Sequence, residues 1–437
     1  MATLLIQGGR VISPEDSLDG ALDVLIEDGV VRRIGPSLGA AADETMDAAG
    51  LIVAPGFIDL HAHLREPGGE PSETLETGLE AAVAGGFTAV CAMPNTRPVN
   101  DRAERTRWLV ERAARLSLAR VFPIAAVSIG SDGEALTDFG ALVEAGAVAF
   151  SDDGRPVKTA GLMRRALEVA QTLGAPVIDH CEDPSLSAGG TINEGPVAER
   201  LGLRGIPASS EDVCLARDLV LAESTGGRLH VAHLSTRGSL HMVRQAKRRG
   251  VRVTAEVTPH HLILADDAVE RCGTHAKMNP PLRSARDVEA LVTGLADGTI
   301  DAIATDHAPH SAELKQKPIA EAAFGVIGFE TAVGLALTHL VHTGRISLWQ
   351  LVSLMSSNPA RIIGRADGGR GESFGRLEAG STADLTILDP NLDWTYRAEE
   401  GRSKSFNSPF DGWRLNGAVT ATIVAGRIVY RRRGTKS

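Results

Sequence analysis

The chain has 437 residues with 45 Lys and Arg against 55 Asp and Glu, a formal net charge of −10, and it is 43% hydrophobic and 23% charged. This composition excludes a largely disordered chain, the acidic balance disfavours a nucleic-acid binder, and no apolar run is long enough for a membrane span. Cys91, Cys181, Cys214 and Cys272 stand far apart with no C-x-x-C pair. The sequence therefore predicts four buried free thiols, no disulfide framework, no cysteine zinc site, and a reducing cytoplasm.

The first residues, M-A-T-L-L-I-Q-G-G, have no basic region ahead of a long apolar core, so no signal peptide is expected. Short strands are predicted at 4–6, 24–27 and 30–34, around Gly8-Gly9 and the hairpin signal Asp28-Gly29. From about Ile52 to Gly364 strand and helix alternate. Apolar strand-like runs fall near 52–60, 87–93, 120–127, 147–151, 176–180, 228–234, 251–257 and 300–305, with helices such as 102–116, 162–173, 212–223 and 239–249 between them. Gly86, Gly146, Gly174, Gly227, Gly250 and Gly298 lie just before strands, where helix C-caps belong. Eight such units predict an α/β fold, a parallel (β/α)8 TIM-like barrel. The runner-up, a doubly wound open sheet, is weakened because no G-x-G-x-x-G or Walker loop follows a strand. The last sixty residues return to strands at 383–388, 420–424 and 427–430. Each end alone has too little core to stand by itself. Both ends are therefore expected to pair as one small discontinuous β-sandwich domain, residues 1–54 with 365–437, beside a catalytic barrel of residues 55–364.

Candidate chemistry gathers at the predicted strand ends. Asp59-Leu60-His61-Ala62-His63-Leu64-Arg65 closes the first barrel strand. Residues two apart in a strand share a side, so His61 and His63 can reach one metal ion, and imidazole suits zinc. An isolated H-x-H means little, but sites of this fold sit at the C-terminal ends of barrel strands. Asp152-Asp153 ends the fourth strand, His180 the fifth, His233 the sixth, and Asp306 and His310 the eighth. Alternation lets only one of Asp152 and Asp153 point inward. Four histidines and two acids on one rim are hard to explain as packing, because buried charge is costly unless paired or metal-bound. The remaining histidines get structural readings. His241, His339 and His342 are expected on the exterior. His230 is expected to pack on the side opposite His233, and His307 to point away. His260, His261 and His275 lie near the rim. Arg431-Arg432-Arg433 reads as a solvated tail. The polar segment 311–318 is a lid over the site or, equally, an ordinary surface loop.

The segments D-L-H-A-H-L-R-E-P and A-T-D-H-A-P-H-S-A-E-L-K resemble the two signatures of dihydroorotases, within the amidohydrolase superfamily. M-P-N-T at 93–96, K-M-N-P-P-L-R at 277–283 and F-G-V-I-G-F-E-T at 324–331 are similar to that family too, and G-R-L-E-A-G-S-T-A-D-L at 375–385 resembles the superfamily's return into its β-domain. The resemblance spans nearly the whole chain. It implies His61, His63, Asp153, His180, His233 and Asp306 as ligands of Zn2+, two ions per subunit with the second site partly filled, and Asp153 bridging where many relatives carry a carbamylated lysine. Lys158, past the turn at Gly154-Arg155-Pro156, is a poor candidate for that lysine. The resemblance also implies Arg65, Asn95 and His310 around a substrate carboxylate, which suits the planar fork of a guanidinium. Asn279 and the backbone at Phe324-Gly325 would read the ring amide, and His63 would also touch substrate.

The implied reaction is the reversible cyclisation of N-carbamoyl-L-aspartate to L-dihydroorotate in de novo pyrimidine biosynthesis. Water activated by the metal attacks the ring amide, and Asp306 is the catalytic acid–base. Alternatives are a dihydropyrimidinase, hydantoinase or allantoinase, or an inactive scaffold subunit of aspartate carbamoyltransferase. The implied partners are the small-molecule substrate, a second copy of the chain and aspartate carbamoyltransferase, with no nucleic acid and no membrane.

Overall fold

The computed structural model describes residues 3–366 and 372–433; residues 1–2, 367–371 and 434–437 of the predicted end region lie outside the described residues. Eight parallel strands follow one another around a barrel: β1 (Phe57–Ala62), β2 (Phe87–Ala92), β3 (Arg120–Ala125), β4 (Ala149–Phe150), β5 (Val177–Asp179), β6 (Leu229–Val231), β7 (Val253–Val257) and β8 (Ala302–Ile303). After each strand comes a helix: α1 (Leu75–Ala84), α2 (Ala103–Leu116), α3 (Phe139–Glu144), α4 (Ala160–Thr172), α5 (Ala208–Thr225), α6 (Arg237–Arg248), α7 (Ala285–Ala296) and α8 (Phe329–Ala336). This is the barrel that the alternating pattern predicts. Thr74, Asp138, Thr159 and Thr236 accept from first-turn backbone N–H groups of α1, α3, α4 and α6, so these four helices start on their own sequence's caps.

Alternate strand residues face opposite ways, as pleating requires. Phe57, Phe87, Phe150, Val177, Val231, Val253 and Val257 pack outward with Leu79, Leu142, Leu215 and Leu291 of the helices. Ile58, Leu60, Ala89, Cys91, Ile124, Ile178, Ala232 and Ala302 pack with one another inside the barrel. β1 and the residues just after β8 meet at a bridge between Ala62 and His307. Asp59 strengthens that seam: its carboxylate accepts from the Thr305 amide at 2.9 Å and from the Thr305 hydroxyl. Burial pushes the Asp59 carboxyl up to about 7, with those hydrogen bonds opposing.

Both chain ends supply one further eight-stranded sheet, ordered Arg427–Arg431, Arg414–Val424, Leu385–Thr395, Ile52–Pro55, Thr3–Ser13, Leu18–Glu27 and Val30–Gly35, with Glu44–Asp47 added beside Thr3–Ser13. Leu4, Ile6, Val24, Ile26 and Val53 share one apolar core there with Leu385, Ile387, Ala421 and Ile423. The predicted single strand 52–60 is in fact two strands in two sheets. The switch comes at Gly56, where a Cβ would lie 2.1 Å from the Thr88 hydroxyl, so only glycine lets the backbone cross there.

Two smaller expectations change. Cys272 is half-buried while the other three thiols are buried. Cys181 and Cys214, distant in sequence, converge with Asp179 and Asp218 between β5 and α5. Arg217 balances that group, donating to Asp218 at 2.7 Å and lying 3.4 Å from Asp179. Nor are Arg431 and Arg432 a solvated tail. Arg431 pairs with Glu44 at 3.0 Å, and the Arg432 guanidinium lies 4.3 Å from the Trp394 ring centroid.

Candidate active site and metal centre

The C-terminal ends of β1, β4, β5, β6 and β8 bring His61, His63, Asp153, His180, His233 and Asp306 together, all buried. Asp153 is the hub. Its Oδ1 lies 3.4 Å from His61 Nε2, 3.6 Å from His233 Nε2 and 3.7 Å from His180 Nδ1, and its Oδ2 lies 3.5 Å from His63 Nε2. Asp306 Oδ1 lies 3.1 Å from His63 Nε2 and 3.7 Å from His61 Nε2. Asp152 turns away, accepting from the Ser128 amide and hydroxyl at 3.0 and 2.6 Å. Lys158 is on the surface beside Glu134.

Most of these spacings are long for hydrogen bonds. They suit donors around a shared cation: zinc–nitrogen bonds of ~2.0–2.1 Å put neighbouring tetrahedral donors about 3.3 Å apart. His61 Nε2 and Asp153 Oδ1 are buried and have no hydrogen-bond partner, a state that buried polar atoms rarely tolerate. His61, His63 and Asp306 form one donor triad, and His61, Asp153 and His233 a second. The donor chemistry therefore fits one or two divalent cations.

The rings are aimed from behind. Glu256, on β7, accepts from His61 Nδ1 at 2.8 Å and from His230 Nε2 at 3.1 Å, all three side chains being fully buried. Asn95 Oδ1 accepts from His63 Nδ1 at 2.9 Å. The bonds from His61 and His63 put the ring proton on Nδ1 and leave the Nε2 lone pair facing the cluster. Burial pushes the Glu256 carboxyl up, but His230 and His61 outweigh it and hold it at about 2. Glu182 takes the other side of His180, 2.9 Å from its Nε2, and accepts from Asn279 Nδ2 at 2.7 Å.

Glu256 and Glu182 are absent from the sequence reading. Alternation carried a signal for Glu256: in V-T-A-E-V the valines and alanine face out, so Thr254 and Glu256 are polar residues facing a barrel interior. Parity also misplaced His230, which faces the same interior as Glu256. His233, not His230, departs from the pattern, because β6 ends at Val231 and His233 adopts a left-handed φ of 30°. Asp306 and Arg65 are left-handed too, at 47° and 62°. Non-glycine residues there cost of order 1–3 kcal/mol each and cluster at functional sites.

Above the cluster lies a cavity of about 230 Å3 lined by His63, Arg65, Asn95, Asp153, His180, His233, Asn279, Asp306, His310, Phe324 and Gly325, with Gly154 and Ala308. It thus collects every site residue that the sequence predicts except His61, which lies beneath. Arg65 donates from Nε to the Pro309 carbonyl at 3.1 Å, and its Nη2 lies 3.3 Å from His310 Nε2. Among the described residues it forms no ion pair. Burial lowers the guanidinium to about 10, with Asp306 and Asp153 opposing, so it stays charged at neutral pH. Burial first, then Arg65, lowers His310 to about 3, so that ring is neutral. Its Nε2 donates to the Phe324 carbonyl at 2.7 Å. Gly325 has φ +133°, and a Cβ there would lie 2.7 Å from the Ala308 Cβ.

The other histidines follow their structural readings with one exception. His307 turns away to stack on Phe329, centroids 4.0 Å apart. His261 bonds Thr258 and the Pro280 carbonyl, and burial lowers His260 to about 4. His339, expected on the exterior, is half-buried against the Trp413 ring. The segment 311–318 contains the short helix Ala312–Lys315. Its Lys315 is buried, not solvent-facing, and donates to the carbonyls of Lys277, Ala323 and Gly325 at 3.2, 3.0 and 2.9 Å.

A dihydro-orotase-like family profile matches residues 50–239. A dihydroorotase of Geobacter metallireducens is 51% identical over 430 residues, 98% of this chain and 100% of the relative. Another, of Pelotomaculum thermopropionicum, is 52% identical over 98% of this chain and 99% of the relative. Among solved structures, the L-hydantoinase (dihydropyrimidinase) of Arthrobacter aurescens superposes with a TM-score of 0.89 at 28% identity, covering 100% of this chain and 98% of its own. The D-hydantoinase (dihydropyrimidinase) of a Thermus species gives 0.82 at 29% identity over 98% and 95%.

Proposed function

The chain belongs to the dihydroorotase family, and on that premise we propose that it is a cyclic-amide hydrolase of pyrimidine metabolism acting on L-dihydroorotate. The observation that carries the choice of substrate is Arg65, a charged guanidinium on the cavity wall with no ion pair among the described residues. A cation left without a counter-ion beside a buried donor cluster favours a ligand that brings its own carboxylate. Dihydroorotate has one on the ring; dihydrouracil and hydantoin do not.

His61, His63, Asp153, His180, His233 and Asp306 are the residues that would hold zinc; both donor triads draw on the one free nitrogen of His61, so a first ion would rest on His61 with His63 and Asp306, and a second on Asp153, His180 and His233. Zinc supplies a lowered pKa for water and polarisation of the ring carbonyl. Glu256 and Asn95 keep His61 and His63 in the tautomer that such binding needs. Arg65 Nη2 and Asn95 Nδ2 hold the substrate carboxylate, His310 backs Arg65 with its own Nε2–H on the Phe324 carbonyl, and Asn279 with the backbone at Phe324-Gly325 orients the ring amide. Asp306 takes a proton from the attacking water onto its carboxylate and delivers it to the leaving ring nitrogen. The same residue run backwards removes the nitrogen's proton as N-carbamoyl-L-aspartate closes. This reading makes the protein a cytoplasmic homo-oligomer, with aspartate carbamoyltransferase as a candidate partner. No helix among the described residues is long and apolar enough to cross a membrane.

The test is turnover of L-dihydroorotate beside dihydrouracil, hydantoin and allantoin on protein whose zinc is counted. Selective hydrolysis of dihydroorotate is expected. Preference for a ring without a carboxylate would replace this substrate, and no turnover of any of them with zinc bound would favour the scaffold alternative.

A further inference from the structure

Asn407 belongs to the segment that follows Leu385–Thr395, far from the barrel strands in sequence, yet it is 2% exposed against the catalytic rim. Its side chain uses both donors and its carbonyl. Nδ2 donates to the carbonyls of Ala308 and Gly325, each at 3.0 Å, and Oδ1 accepts from the His310 amide at 3.1 Å. Its own backbone carbonyl accepts from the Ile327 amide at 3.0 Å. Four hydrogen bonds from one residue therefore join the two loops that carry His310 and Phe324-Gly325. Asn407 does not line the cavity; Ala308, His310, Phe324 and Gly325 do.

The segment is held in place by a second set of contacts. The Ser403 hydroxyl donates to Glu73 at 2.5 Å, the Lys404 amide donates to Glu73 at 3.0 Å, and the Ser405 hydroxyl donates to the Ser72 carbonyl at 2.6 Å. The strap is thus tied to the barrel on one side and reaches the substrate-facing loops on the other. Residues of similar size do not replace it. Aspartate keeps the acceptor for His310 but cannot donate to two carbonyls, and leucine of similar size does neither. Without Asn407 the buried Ala308 carbonyl and His310 amide lose their partner and the Gly325 carbonyl keeps only Lys315, which would cost the loops their fixed spacing.

We propose that Asn407 is a positioning residue for substrate selection: it fixes the distance between His310 and Gly325, and so the fit of the ring that carries the carboxylate. This rests on the dihydroorotase reading for the substrate, and on the hydrogen bonds alone for the role. Asn407 touches no member of the donor cluster, so its effect is separable from metal binding.

The experiment compares wild type with Asn407→Asp, Asn407→Ser and Ser405→Ala, all zinc-replete. Steady-state kinetics on dihydroorotate and dihydrouracil are measured with bound zinc and hydrogen exchange of peptides spanning 308–311 and 324–328. Asn407→Asp should raise KM for dihydroorotate about 10-fold or more, in line with lost buried hydrogen bonds, with zinc content unchanged. The ratio of kcat/KM for dihydroorotate to that for dihydrouracil should fall, and both peptides should exchange faster. Asn407→Ser, which keeps one short polar group, should fall between, and so should Ser405→Ala, which removes one tie of the strap that carries Asn407. Equal losses on both substrates would reduce Asn407 to a structural role and overturn the proposal, as would unchanged exchange in both peptides. If wild type turns over no dihydroorotate, the substrate reading fails, while the exchange result still decides whether Asn407 fixes the two loops. Should Asn407→Asp not fold, the serine variant carries the same comparison.

Discussion

The two halves of the candidate site are built on different principles. The donor cluster stands on strand ends of a parallel barrel and is braced from below by Glu256, a fully buried carboxylate. The wall that faces substrate is made of loops: Asn279 follows β7, and His310, Phe324 and Gly325 follow β8. Those loops are tied by Asn407 and Lys315, which reach them from neighbouring segments. A barrel fixes strand ends to one another through the hydrogen bonds of its sheet, so the cluster inherits its geometry from the fold. The loops inherit only their anchor points, and side-chain hydrogen bonds do the remaining positioning. Chemistry should therefore be lost through the first half and selectivity through the second.

Asp306→Asn offers the sharpest way to break that division. It removes the proton carrier while leaving an oxygen toward His63. The kcat on dihydroorotate should fall by about 10²–10⁴-fold, the range for a positioned acid–base, with zinc largely retained. Near-normal turnover would remove Asp306 from the mechanism. The counterpart on the substrate side is Arg65→Ala. Losing a charge-assisted contact of ~1.5–3 kcal/mol predicts roughly a 10- to 150-fold rise in KM for dihydroorotate. Turnover of dihydrouracil should change little. An unchanged KM would show that the carboxylate binds elsewhere.

Glu256→Leu separates bracing from ligation. The carboxylate touches no proposed reacting atom, so its loss should appear first in metal affinity. A drop of about 10–100-fold, measured by competition with a chelator, is the size associated with residues that orient metal-binding histidines. Glu256→Gln keeps an acceptor for His61 and should recover part of it. Equal zinc affinity in wild type and the leucine variant would mean that β1 alone holds His61 in register.

How much of this was legible from sequence follows the same division. The barrel strands and the cluster residues sit at strand ends in a regular alternation, so period and position exposed them. Glu256 obeyed that alternation but looked like one acid in an apolar run. His230 and His233 misled because a strand of three residues ends before parity can be carried across it. The substrate-facing residues were indicated by family resemblance, since no periodicity marks a loop. Asn407 and Lys315 carried no local signal, because their partners are carbonyls and amides that any sequence could supply. The break at Gly56 was hidden for a related reason: apolar residues continue on both sides, and the crossing depends on Thr88 from another strand.

The last expected effect falls on stability and not on activity: a pH dependence from Lys315, which anchors the loop that Asn407 also holds. Lys315 is 3% exposed and its ammonium donates to three carbonyls. Burial, and to a lesser degree Lys277, lowers it to about 7 from an ordinary value of 10.5. His275 and His310 also feel its charge. Below pH 7 the amine is protonated in both folded and unfolded chains, so the cost of burying the cation is carried in full. From pH 7 to about 10.5 the unfolded chain binds the proton while the folded one releases it, and linkage makes stability rise with pH by up to about 1.4 kcal/mol per unit. Lys315→Met cannot titrate, so the stability of wild type relative to this variant should grow in urea unfolding between pH 7 and 9.5 with zinc saturating both. Parallel curves would show that the amine titrates near its ordinary value, and that hydrogen bonds to the three carbonyls hold it charged. In that case the loop would be fixed by a permanent cation, and the substrate-facing wall would be more rigid near neutral pH than its dependence on side-chain ties implies.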